Sequence, residues 1–349
     1  MRRTLIAAVV ALSTVAGGVT GSAPAMAGRR PGIDVIGLTG DQRLVGFEIR
    51  SPGRTRDLGR VRGLAGDTAL VGIDYRVRDG KLYGVGNRGG VYTLGGPARA
   101  VKVSQLTVPL SGVDFGVDFN PAADRLRVIS DTGQNLRHNL DDPTGAPAAG
   151  RTVADGPLTG PQIRPPAASP AAPQGGPPVG PQTDPSTAPQ SGPQTGPSSG
   201  PSSGPSSGPS SGPSSGPFPT PDPAVAGAVA TGASGAGYTN NDLSPATATT
   251  LFDVDTTAAR VILQSPANAG TLVATGNLRV AATGAAGFDV HSSLRDGVTV
   301  SNSAFAALRV GGRYGFYGVN LLTGAVNYNY GLFPANRQVR DIAIRLDRG

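Results

Sequence analysis

A short motif, an aspartate set between apolar residues, recurs along the chain and constrains the fold more than any other feature. It appears as Gly72-Ile73-Asp74-Tyr75, Gly116-Val117-Asp118-Phe119 and Gly287-Phe288-Asp289-Val290, with a looser copy at Arg340-Asp341-Ile342-Ala343-Ile344. A residue that returns in the same local setting implies repeated structural units that pack on one another. A second pattern runs between the copies: an alternating strand, a turn and a return strand. It occurs at residues 44–59, 91–103, 136–145, 250–263 and 314–326. Period-two alternation bounded by Gly, Asp, Pro and Thr is a hairpin signature. The expected fold is all-β, a β-propeller-like ring of four-stranded blades. The hairpins give five blades, and their spacing also admits six. The segment 35–49 lacks an aspartate strand before it, and Val339–Ile344 lacks a hairpin after it. Together they complete one blade, so the C-terminal strand should close the ring.

Composition agrees with strands over helices. The chain has one Glu (Glu48), two Lys (Lys81 and Lys102) and two Met, all good helix formers, against 53 Gly and 32 Pro. It has no Cys, which excludes disulfides, thiolate metal sites and a catalytic thiol. Two histidines, His138 and His291, are too few for a multi-histidine metal centre. Ring closure is then the device on which stability should rest.

Residues 157–223 differ from the rest. They hold no strand-length apolar run, and Gly196 to Ser215 is a strict Gly-Pro-Ser-Ser repeat. Such a segment buries too little apolar surface to offset its ordering entropy, so it is expected to be disordered. Its period of four excludes a collagen helix. Because loop-closure cost grows only logarithmically with length, it reads as an insertion into one ring instead of a linker between domains. The expected organisation is a signal peptide at 1–27, the first part of the propeller at 28–156, the insertion at 157–223 and the second part at 224–349.

The N-terminus carries Arg2 and Arg3, an apolar stretch from Leu5 to Ala16 and an Ala25-Met26-Ala27 cleavage pattern, which together read as a secretory signal. The arginine pair also fits a twin-arginine signal, and the export route stays open. The expected location is secreted, extracellular or loosely wall-associated, with no membrane span after cleavage. Net charge is +7, without a basic stripe of the kind that tracks nucleic acid. Expected partners are therefore another protein, an anionic wall polymer or a small molecule, with the chain itself a monomer.

The segment Gly116 to Arg137 (GVDFNPAADRLRVISDTGQNLR) resembles the bacterial family called domain of unknown function 4394. Supporting segments are Leu38-Thr39, Arg43-Leu44-Val45, Leu70 to Asp74, Leu82-Tyr83, Tyr238 to Asn241, Thr250 to Asp255 and Gly270-Thr271-Leu272. The resemblance spans the chain after the signal, apart from the insertion. It implies an exported, propeller-like domain with no assigned activity. The sequence departs from the family pattern in two places. Pro266-Ala267-Asn268 stands where Pro-Pro-Asn is usual, and the long insertion replaces a short connection before Tyr238.

Two groups of candidate site residues follow. Asp74, Asp118, Asp289 and Asp341 would line a central channel and could bind a cation such as Ca²⁺ or act as acid and base. The alternative is that each makes the same structural bond in its own blade. The second group comes from the least repetitive stretch: Asn120, Asp124, Arg125, Arg127, Asn135 and Arg137. With a turn at Pro121–Asp124, Arg125 and Arg127 share one strand face, opposite Leu126 and Val128, an arrangement suited to carboxylate or phosphate. The alternative is ion pairing of Asp124 and these arginines between blades. Tyr328 and Tyr330 could stack on a sugar or pack into the core. Asp253 and Asp255, with Asn240 to Asp242, could hold Ca²⁺ or simply shape turns. Gly84 to Gly89 matches G-x-G-x-x-G but precedes a strand, so no dinucleotide site is expected. The functional expectation is a secreted binding or scaffold module without chemistry and without a cofactor. The alternative is a hydrolase or lyase that uses channel-facing Asp and Arg.

Overall fold

The computed structural model describes residues 32–160 and 227–347; the expected signal peptide and nearly all of the expected insertion lie outside them. The described residues form five four-stranded antiparallel sheets. Blade 1 joins β20 (Val339–Ile344) to β1 (Asp34–Thr39), β2 (Arg43–Glu48) and β3 (Arg56–Arg60). Blade 2 is β4 (Leu70–Tyr75), β5 (Leu82–Gly86), β6 (Gly90–Gly95) and β7 (Arg99–Gln105). Blade 3 is β8 (Phe115–Asn120), β9 (Arg125–Ser130), β10 (Asn135–His138) and β11 (Thr152–Ala154). Blade 4 is β12 (Ala233–Tyr238), β13 (Leu251–Asp255), β14 (Arg260–Gln264) and β15 (Leu272–Asn277). Blade 5 is β16 (Gly287–Arg295), β17 (Val298–Val310), β18 (Arg313–Val319) and β19 (Val326–Leu332). The blade count is five, and six is set aside. The C-terminal strand closes the ring as expected, with Gly37 paired to Ile342 and Ile36 to Ala343.

Burial follows strand position within a blade. Inner strands such as β8 are buried on both faces, whereas outer strands such as β7 expose most of their residues. Five apolar clusters occupy the five seams between neighbouring blades. In the seam between blades 5 and 1, for example, Phe305 and Phe316 pack with Phe47, Phe333 and Ile342.

The recurring glycine and aspartate have a joint explanation. Two residues apart on a strand, they face the same side, toward the next blade. A Cβ on Gly72 would lie 2.4 Å from Val117, and one on Gly116 would lie 2.6 Å from the Ala236 nitrogen. Gly235 and Gly287 meet the inner strand of the following blade in the same way. Glycine lets adjacent inner strands approach, and the aspartate can then reach across the seam. Blade 4 keeps the glycine, Gly235, but has Gly237 at the aspartate position, where a Cβ would meet the Phe288 ring.

The described ends of the connection from β11 to β12 lie in the seam of blades 3 and 4. Thr159 bridges Val229 and also Thr271, so the described stems on either side of residues 161–226 lie together within one ring. Among the described residues no helix is long and apolar enough to cross a membrane.

Closure through β20 makes Ile342, 1% exposed, a sensitive position. Ile342→Ala should cost about 2–5 kcal/mol, read as a lowered denaturant midpoint. A loss below about 1 kcal/mol would mean the closing strand does not hold the ring.

Candidate functional site

Every inner strand is the edge of its sheet, so half of its backbone N–H groups face away from the ladder and need another acceptor. The repeated carboxylates supply it. Asp74 Oδ2 accepts the Phe119 N–H at 2.8 Å, Asp118 Oδ1 the Tyr238 N–H at 3.2 Å, and Asp341 Oδ2 the Ile73 N–H at 2.7 Å. Asp289 Oδ2 accepts the Ile344 N–H at 2.6 Å, while its Oδ1 takes its neighbour Val290 N–H, which Gly237 leaves without a carboxylate from blade 4. The expected structural bond therefore exists, but it crosses to the next blade and does not stay within one.

These four side chains are buried, at 2–6% exposure. One oxygen from each of Asp74, Asp118 and Asp289 lies within 4.8 Å of the others. Ca²⁺ takes six to eight oxygens, and the three convergent carboxylates supply fewer. Burial, with mutual repulsion added for Asp74, Asp118 and Asp341, raises the pKa of all three well above the ordinary carboxylate range. Burial also pushes Asp289 up to about 7.

The second group assembles at the seam of blades 3 and 4. The tight turn after β8, with Asp124 at a φ of 52°, brings the chain back as β9. Leu126 and Val128 enter the seam toward blade 2, and Arg125 and Arg127 take the other face with Ile129. Register sets Arg127 opposite Arg137 on β10. A cavity of about 120 Å³ is lined by Asn120, Arg125, Arg127, Arg137, Tyr238 and Asn268, among others. Arg125 donates to Asp142 Oδ2 at 2.9 Å and to the Ala146 carbonyl at 3.1 Å. Arg127 donates to Asn135 Oδ1 and Asn268 Oδ1, both at 2.7 Å, to Asp155 at 2.8 Å and to the Tyr238 hydroxyl at 3.3 Å. Arg137 forks onto both oxygens of Asp155 at 3.0 Å and reaches the Ala146 carbonyl at 3.2 Å. The hydrogen bond from Arg125 holds Asp142 down to about 2.

Four of the six expected residues thus line one cavity. Asn135 lies behind it and stitches blade 3 to the Ala267–Ala269 turn through its amide. Asp124 turns the other way. Its carboxylate takes Arg76 and Arg78 of blade 2, and Arg76 also grips Asp141, an ion-paired clasp between blades 2 and 3. The inter-blade ion pairing is present for Asp124, through Arg76 and Arg78 of blade 2, while Arg125 pairs with Asp142 of its own blade.

Other expectations disperse. Asp253 is buried facing the Arg127 side, Asp255 pairs with Arg260, and Asp242 caps Thr299 and Ser244, so they form no common cation site. Tyr328 is 60% exposed on the outer strand of blade 5, while Tyr330 packs on Phe305 and Phe316. Gly84 to Gly89 spans the end of β5 and the turn into β6, as its strand context required. Two cavity residues were not anticipated. Tyr238 and Asn268 come from blade 4, far away in sequence, and only the Pro266-Ala267-Asn268 turn hinted at one of them. His138, fully buried, bonds Ser104 across the seam of blades 2 and 3 and Thr152 within its own blade, and burial lowers it to about 4.

Seams tied by carboxylates around the axis, with a polar site where blades 3 and 4 meet, define a five-bladed propeller. The chain belongs to the family described as Domain of unknown function (DUF4394), whose model matches residues 43–172 and 215–343. A search of curated proteins returns no match.

The buried carboxylates make stability depend on pH. Asp289 ionises near 3.8 in an unfolded chain and at about 7 here. Between those values the folded chain holds a proton that the unfolded chain has lost, so stability falls as pH rises. Asp74, Asp118 and Asp341 act with the same sign. The thermal midpoint should fall from pH 4.5 to 8, and less so in Asp289→Asn, which keeps an acceptor for Ile344. A wild-type midpoint that rises over this range would contradict the assignment.

Proposed function

We infer that the protein is an exported binding module that engages its ligand on the face of the ring where the inner strands end. One observation carries the reading: cavities gather on that face. The loops that leave β4, β12, β16 and β20 border a cavity of 380 Å³ that includes Tyr75, Leu243, Leu294 and Leu346. A second, of 490 Å³, lies beside it and shares Asp242 and Leu243. A third, of 910 Å³, follows the seam of blades 1 and 2 past the turns at Gly80 and Gly95–Ala98. The arginine-lined cavity starts from the same end of β8. We read Leu243, 62% exposed on the loop shared by two of these cavities, as a contact residue for a protein or wall partner. Export is supported by the charged, apolar and small-residue pattern of residues 1–27.

The competing reading is a hydrolase or lyase that uses the axial carboxylates, and it draws on their convergence and raised pKa values. Against it stand their burial and their engagement by backbone N–H groups of the neighbouring blade, which leave little of them for a substrate.

Leu243→Asp and Val113→Asp separate the two faces, since Val113 is 79% exposed in the loop that enters β8 from the opposite side. Co-sedimentation of the mature chain with isolated cell walls should fall at least fivefold for Leu243→Asp and stay unchanged for Val113→Asp. Equal behaviour of the two variants would refute the assignment of the face.

A further inference from the structure

We propose that the cavity between blades 3 and 4 is a binding site for a singly charged oxyanion, a carboxylate or a phosphodiester group, held by Arg125, Arg127 and Arg137. The inference rests on the reading of this face as the binding face and names the chemistry of one of its ligands.

The first argument is charge. Three guanidiniums line the cavity, and two carboxylates answer them: Asp142 pairs with Arg125, while Asp155 serves Arg127 and Arg137 together. The nearby Asp124 and Asp141 are committed to Arg76. Asp253, behind Arg127, is fully buried, neither of its oxygens has a hydrogen-bond partner among the described residues, and burial raises its pKa well above the ordinary carboxylate range. In the ion pairs at the cavity, three guanidiniums therefore share two carboxylates.

The second argument is donor capacity. A guanidinium carries five N–H groups and no acceptor. Arg125 spends bonds on Ala146, Ala123, Asp124 and Asp142, all through carbonyl or carboxylate oxygens. Arg127 likewise spends four, on Tyr238, Asn135, Asp155 and Asn268. Arg137 spends three, on Asp155 twice and Ala146. Among the described residues, each arginine keeps at least one N–H without an acceptor, and Arg137 keeps two. An oxyanion supplies the acceptors that these donors lack.

The third argument is rigidity. The Ala146 carbonyl holds both Arg125 and Arg137, and Asp155 holds both Arg127 and Arg137. Gly145 makes room for the fork of Arg125, since a Cβ there would lie 1.5 Å from Nη2. Pre-positioned donors lose little freedom on binding, which favours a small ligand. A cavity of 120 Å³ takes one such group, not a sugar ring or a nucleotide.

The experiment is titration of the mature chain with sodium acetate and, separately, dimethyl phosphate, at constant ionic strength maintained with chloride, followed by calorimetry and melting midpoint. At least one anion should saturate and raise the midpoint, and the tighter of the two assigns the group as carboxylate or phosphodiester. Arg137→Gln, which removes the most free donors at the most exposed of the three arginines, should weaken that binding at least tenfold. Arg137→Lys should weaken it nearly as much, because the fork is lost although the charge remains. Arg43→Gln, in blade 1, should leave it unchanged. Saturation by neither anion overturns the proposal, as does equal binding by wild type and Arg137→Gln with both folded. Loss of wall binding in Leu243→Asp without any anion binding would sink this inference alone, whereas anion binding with Leu243→Asp behaving as wild type would sink only the broader assignment of the face.

Discussion

A carboxylate that reaches from one inner strand to a backbone N–H of the next is the contact around which this ring is organised. Inner strands are sheet edges, and five of them meet at the axis with their unpaired N–H groups turned inward. Left alone, each would be a buried donor without a partner, at about 1–3 kcal/mol apiece. Asp74, Asp118, Asp289 and Asp341 cancel that cost and tie neighbouring blades together by the same bond. The arrangement brings acidic groups together in a buried place, which pushes their ionisation upward. A ring stabilised this way needs no disulfide.

How much of this was legible in the sequence depended on the range of the interactions. Hairpins are local, and alternation bounded by turn residues revealed five of them, along with closure by Val339–Ile344. The Gly-x-Asp motif was legible as a repeat, but its meaning was not: the partners of Asp118 and Asp341 lie 120 and 268 residues away. The strand faces at Arg125 and Arg127 followed from period two, because a turn fixes the register of what comes after it. What periodicity could not reveal was the second wall of that cavity, Tyr238 and Asn268, contributed by another blade. The partner of Asp124 was not legible for the same reason: Arg76 approaches from the preceding blade.

Polar side chains in the seams divide into two populations. Some are balanced charge for charge or used by neutral partners, such as Arg76 and Arg78 against Asp124 and Asp141, or His138 between Ser104 and Thr152. These fix blade against blade. The arginines of blade 3 are different, for three of them share two carboxylates, Asp142 and Asp155. Burial alone does not separate the two kinds, since Arg76 and Arg127 are both 2% exposed. The balance of arginines against carboxylates does, two against two around Arg76 and three against two around Arg127.

The paired stems at Thr159 and Val229 have a consequence for how this scaffold can change. The described residues on either side of 161–226, at Thr159 and Val229, are anchored together in the same seam. Closing a longer excursion there costs only about 0.6 kcal/mol per doubling of length. That position is a port: sequence can be lengthened, shortened or exchanged for a folded cargo, and the blades on either side would register little of it.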